Sequence, residues 1–118
     1  MEGISTIVYQ GKCIYFIEFS HAKSQDETLF LIHAAGDEFE KNPKNSILAL
    51  FDITHAFFHL ETLKTFKKLD KRCGSYEKKV AIIGLKGLKK AGFRSMNQNP
   101  NVQPFDTAQE AKDWLVAD

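Results

Sequence analysis

The run Ile47-Leu48-Ala49-Leu50-Phe51 restricts the fold more than any other stretch of the chain. A strand that is apolar at every position must be covered on both faces, which requires a sheet with helices on either side. The run turns polar at Asp52, Thr54 and His55. Leu60, Leu63, Phe66 and Leu69 then recur at helical spacing, with Lys64, Lys67, Lys68 and Lys71 beside them facing water. The stretch therefore reads as a buried central strand over Ile47 to Ile53, a loop at its carboxyl end, and a helix leaving it. Gly74 marks the helix end.

The flanking segments supply the other layers. Ile4 to Tyr9 and Cys13 to Phe19 are strand-like and joined by the turn Gln10-Gly11-Lys12, which predicts an antiparallel hairpin. Glu18 falls on the opposite face from Ile17 and Phe19. Ser24-Gln25-Asp26-Glu27 matches a capping box. Leu29, Ile32, Gly36 and Phe39 continue that helix to about Lys41, where Asn42-Pro43 ends it. Val80 to Ile83 is a fourth strand, and a short helix follows from about Leu88 to Met96. Val102 to Phe105 contains Pro104, which suits an edge strand. Thr107-Ala108-Gln109-Glu110 is a second capping box, and Ala111, Trp114 and Leu115 dock the last helix. The order β-β-α-β-α-β-α-β-α predicts one α/β domain over residues 1–118. Its sheet is mixed, mostly parallel and five-stranded, with about four helices.

The totals exclude some functions. A net charge of +1 gives no global attraction to nucleic acid. Locally the charge is uneven. Residues 64–94 hold eleven basic side chains against two acids, Asp70 and Glu77, and Glu18 to Glu40 is acid-rich. Ten phenylalanines predict an aromatic core. Cys13 and Cys73 lack CxxC spacing and read as reduced thiols. No apolar run approaches the ~18 residues of a membrane span. No signal peptide is visible, so the expected location is cytoplasmic.

Ligands of open α/β sheets bind outside the carboxyl ends of the strands. Two loops are expected there: Asp52 to His59, and Gly84-Leu85-Lys86-Gly87-Leu88-Lys89-Lys90. In the second, glycines let N–H groups face an anion, and Lys86, Lys89 and Lys90 add charge. The GK[ST] ending of a P-loop is missing, and two turn glycines beside a solvated lysine face is the simpler reading. His55 and His59 are two ligands at most, so no metal site is expected. Phe57 and Phe58 either plug the sheet end or line an apolar pocket. No nucleophile motif is present. An enzyme with His55 as base and Asp52 as orienter is the third-ranked reading, and no enzyme and no cofactor are expected.

Three patterns carry a family resemblance: Ile47-Leu48-Ala49-Leu50-Phe51-Asp52-Ile53-Thr54; Lys79-Val80-Ala81-Ile82-Ile83-Gly84; and Phe105-Asp106 leading to Ala111-Lys112-Asp113-Trp114-Leu115. With the order of elements, they resemble the SpoIIAA-like, STAS-type domains. That fold is shared with anti-sigma-factor antagonists and CRAL-TRIO lipid-binding domains. The antagonists carry an Asp-Ser-Ser-Gly-like phosphorylation site after the third strand, where this chain has His59-Leu60-Glu61-Thr62-Leu63. Thr62 is the nearest hydroxyl and the sole phosphorylation candidate. The resemblance implies a non-enzymatic binding or regulatory module. Its expected surface for a partner protein is the loop after the third strand and the exposed side of the helix that follows, with Asp52, Thr54, His55, Phe57, Phe58, His59 and Thr62 as the candidate residues. The alternative is a carrier of a small apolar or anionic ligand at the strand ends, with Gly84, Lys86 and Gly87 contributing. A homodimer through the first hairpin is a further expectation; nucleic acid and integral membrane association are not expected.

Overall fold

The computed structural model describes residues 2–56 and 59–117. Its elements are β1 (Ile4–Tyr9), β2 (Lys12–Glu18), α1 (Gln25–Phe39), β3 (Ile47–Asp52), α2 (Leu60–Cys73), β4 (Glu77–Ile83), α3 (Leu88–Met96), β5 (Val102–Phe105) and α4 (Ala108–Val116). The strands lie in the sheet in chain order. β1 and β2 pair antiparallel, and every later pair is parallel.

That order dictates the layers. Each crossover between parallel strands steps the same way across the sheet, and right-handed crossovers then put α1, α2 and α3 on one face. Ala49, Phe51, Val80 and Ile82 of the sheet pack with them. The other face, with Ile14, Leu48, Leu50, Ala81 and Ile83, receives Ala111, Leu115 and Val116 of α4. β3 therefore supplies alternate residues to two cores, which is why Ile47 to Phe51 has no polar position. Phe51 is the aromatic hub, with ring centroids 6.4 Å from Phe19, 6.2 Å from Phe39 and 5.4 Å from Phe66.

Ser24 caps α1 by accepting the Glu27 N–H, while the Glu27 carboxylate accepts from Lys23 N–H instead of closing the box on Ser24. Thr107 caps α4 by accepting from the Glu110 N–H at 3.2 Å, while the Glu110 carboxylate accepts from the Thr107 hydroxyl at 3.0 Å instead of closing the box on the backbone. α1 and α2 meet closely at Gly36, where a Cβ would lie 2.8 Å from Leu69 Cδ1 and 2.9 Å from Arg72 Nη1. Arg72 then bridges to Asp37 and Glu40 on α1.

Three details depart from the sequence reading. β2 runs from Lys12 to Glu18 instead of Cys13 to Phe19. β4 begins at Glu77 rather than Val80 because a bulge lengthens it: Ile47 pairs with Glu77 and Leu48 with Lys79, leaving Lys78 as the extra residue. The buried line of α2 is Thr62, Thr65, Leu69 and Cys73. Leu60, expected in the apolar stripe, is 63% exposed, and Leu63 and Phe66 are only partly buried.

Candidate ligand groove

Leu63 and Phe66 are partly buried because the space in front of them is open. A groove of about 450 Å³ lies between α2 and α3, over β4 and β5. Val80, Ile82 and Val102 form its floor, and Phe93 is the α3 contribution to its wall. α3 has only nine residues and reaches the sheet core through Phe93. The groove runs along α2 from Leu63 to Lys71, eight positions or about 12 Å of helix. Lys67, Lys68 and Lys71 border it and are solvent-exposed.

One buried acid sits in the wall, beside the polar lining residues Asp70, Asn97, Gln98 and Asn99. Glu77 is 7% exposed, and its Oε1 has no hydrogen-bond partner. Burial raises its carboxyl to a pKa of about 8, and the Asp70 charge and a hydrogen bond between the two carboxyls act in the same direction. Asp70 in turn accepts from Asn99 Nδ2 at 2.9 Å. Cys73 lies close enough to feel the Glu77 charge, and burial pushes its thiol up to about 11. Asp70 and Glu77 are the two acids of the basic segment. The sequence displayed them, but only as charges; nothing in the period of β4 reveals the bulge that turns Glu77 inward.

The residues expected at the site lie elsewhere. Phe57 and Phe58 fall outside the described residues, and none of the others lines the groove. At the carboxyl ends of the strands, Asp52 Oδ1 accepts from Thr54 N–H at 3.1 Å and Thr54 Oγ1 at 2.5 Å. That carboxylate is turned to Thr54, not to His55. Its ladder neighbour Glu18 accepts from Ser20 N–H at 2.6 Å. A hydrogen bond from the Ser20 side chain holds Glu18 below the ordinary carboxylate range, against the effect of burial, with smaller help from the Ser20 N–H, His21 and His55. Thr54, Gly84, Lys86 and Gly87 do come together, around a second concavity of about 500 Å³. Gly84 has φ of +101°, and a Cβ there would collide with the Thr54 backbone, so it is the contact that joins the two loops. Lys90 is paired with Asp106, and the Lys89 side chain is outside the described ones. His55 and His59 are exposed.

Thr62 is fully buried. Its hydroxyl donates to Gln25 Oε1 at 3.0 Å and accepts from His59 N–H at 3.3 Å. As folded, it presents no accessible oxygen for phosphoryl transfer. Among the described residues no group of three or more potential metal ligands occurs, and no helix is long and apolar enough to cross a membrane.

No family model matches the chain, and no curated protein does. Among solved structures, the chain is similar to an uncharacterised protein of the DUF3478 family from Shewanella loihica PV-4, described as having a SpoIIAA-like fold. The two are 24% identical, the match covers 95% of this chain and 91% of that one, and the TM-score is 0.66. At that identity the likeness concerns architecture: five strands in sequential order, three helices on one face and one on the other give this chain the SpoIIAA-like α/β fold.

Proposed function

We propose that this chain is a non-enzymatic, STAS-like binding module that holds a small apolar ligand in the groove between α2 and α3. The observation that carries the reading is the groove itself. Its volume of about 450 Å³ lies within the range of small-molecule sites. The surface it presents is mainly apolar, with the polar groups of α2 and of the loop before β5 bordering it, and small-molecule sites combine an apolar surface with placed polar groups in this way. The location differs from the expectation of a site at the strand ends. The acid–base pair entertained there, His55 with Asp52, has its carboxylate engaged by Thr54.

The test is calorimetric titration with straight-chain compounds of about eight to twelve carbons, sized to the ~12 Å groove. Saturable binding is expected, with loss of at least about tenfold in affinity in Leu63→Trp, whose indole fills the groove. A wild-type protein that binds none of them, or a Leu63→Trp variant that binds as well as wild type, overturns the reading.

A second reading has one observation in its favour. Leu60 is 63% exposed at the start of α2, next in sequence to the exposed His59 and after the loop that holds the exposed Thr54 and His55. This stretch is an alternative contact surface for a partner protein. Partner capture that depends on Leu60 and ignores Leu63→Trp favours that reading over the groove.

A further inference from the structure

The groove is apolar at one end and charged at the other. Phe66 packs on Phe51, ring centroids 5.4 Å apart, and Phe51 pairs with Ile82 near the carboxyl end of β4. One turn further along α2, Asp70 accepts from Asn99 of the loop before β5 and lies against Glu77, the first residue of β4. α2 therefore borders the groove from the carboxyl ends of the strands toward their amino ends. Leu63 and Phe66 line the first part of that path, and Lys67, Lys68 and Lys71 the second. Spaced three and four apart, Lys71 and the other two lysines are neighbours on the helix surface.

The fold makes no use of this charge. Lys41, Arg72 and Lys90 form ion pairs, and Lys79 donates to the Trp114 and Ala117 carbonyls. Lys67, Lys68 and Lys71 are exposed and have no hydrogen-bond or ion-pair partner among the described residues. Compensation of the helix dipole accounts for Lys71 alone, because Lys67 and Lys68 precede the last turn of α2. The acids at this end do not cancel them. Glu77 is 7% exposed, and the half-buried Asp70 is engaged by the Asn99 amide. The rim is therefore positive where it meets water.

An apolar slot that opens on a positive rim separates ligand classes by charge. A cationic head is repelled by three ammonium groups. An uncharged head gains nothing from them. An anionic head meets all three and stays at the exposed rim, so it keeps much of its water while the chain behind it leaves water. We propose that the groove selects a straight-chain carboxylate of about eight to ten carbons over the ~12 Å groove, its tail toward Leu63 and Phe66 and its head at Lys67, Lys68 and Lys71. The proposal rests on the ligand-binding reading of the groove and adds the charge of the head group and where it sits.

The experiment compares nonanoate, 1-nonanol and nonylammonium by titration calorimetry at about pH 7.5, where the carboxylate and the amine are both ionised. At about 50 mM salt, nonanoate is expected to bind about tenfold more tightly than 1-nonanol, and nonylammonium least tightly. At about 500 mM salt the preference for nonanoate is expected to fall to about threefold or less. Lys67→Gln, Lys68→Gln and Lys71→Gln combined are expected to abolish the preference and to leave 1-nonanol binding unchanged. Lys44→Gln, Lys64→Gln and Lys78→Gln combined remove the same charge from exposed positions outside the groove and are expected to keep it. Equal binding of nonanoate and 1-nonanol to wild type overturns the proposal while leaving the groove reading standing. So does a preference that survives the first triple variant, or one lost equally in the second. If none of the three compounds binds, both readings fall, and cosedimentation with phosphatidylglycerol vesicles then assigns the lysines to a membrane surface.

Discussion

Replacing Glu77 by Gln measures the energetic effect of this carboxyl without changing its shape. The Glu77 pKa is raised from 4.5 to about 8, by burial first and by Asp70 second. The folded state therefore holds a proton across that interval, and the unfolded chain does not. Linkage then gives the sign: the Glu77 contribution is most favourable below pH 4.5, weakens as pH rises, and levels off above about pH 8. At about 1.36 kcal/mol per pH unit, the full span is about 5 kcal/mol, of which about 3 kcal/mol has been lost by pH 7. Gln cannot ionise, so Glu77→Gln is expected to match wild type near pH 4 and to exceed it by about 3 kcal/mol at pH 7. For a chain of this size that is about 10 °C in melting temperature. Urea unfolding of both proteins between about pH 4 and pH 9 is the assay. A difference that stays flat with pH, or a variant less stable than wild type at neutral pH, refutes the buried, protonated description of Glu77.

Two further substitutions test the packing around α2. Thr62→Asp places a charge at a fully buried position; a loss of more than about 3 kcal/mol is expected, against about 1 kcal/mol for Thr62→Val. A folded, stable Thr62→Asp in thermal unfolding defeats the description of this helix start as sealed. Gly36→Ala drives a methyl to 2.8 Å from Leu69 Cδ1 and 2.9 Å from Arg72 Nη1, and is expected to cost about 1–3 kcal/mol by overpacking. An unchanged denaturation midpoint shows instead that α1 and α2 separate at little cost.

The layers were legible because one physical demand, covering β3 on both faces, leaves few solutions. The apolar run required it and the alternation of strands and helices met it; which helices share a side follows from crossover handedness only once the strand order is known. The groove was hidden by the same rule. Leu63, Phe66 and Leu69 have helical spacing whether the next helix closes over them or stands off. That outcome depends on where α3, nine residues long and tied to the core by Phe93, comes to rest. Thr62 and Thr65, polar by type, take buried positions because their hydroxyls find partners, Thr62 across to Gln25 of α1 and Thr65 in the Glu61 carbonyl one turn back. Glu77 was visible only as an acid in a basic segment, since a one-residue bulge leaves no periodic trace. The stretch after the central strand therefore carries both candidate surfaces on one helix. The first turn of α2 holds Leu60 and the buried Thr62 contact with α1; its body, from Leu63 to Lys71, walls the groove. A substitution in the first turn that alters affinity in the groove without unfolding the protein would show that the two surfaces report to one another through α2, whereas independent effects would assign function to one end of the helix alone.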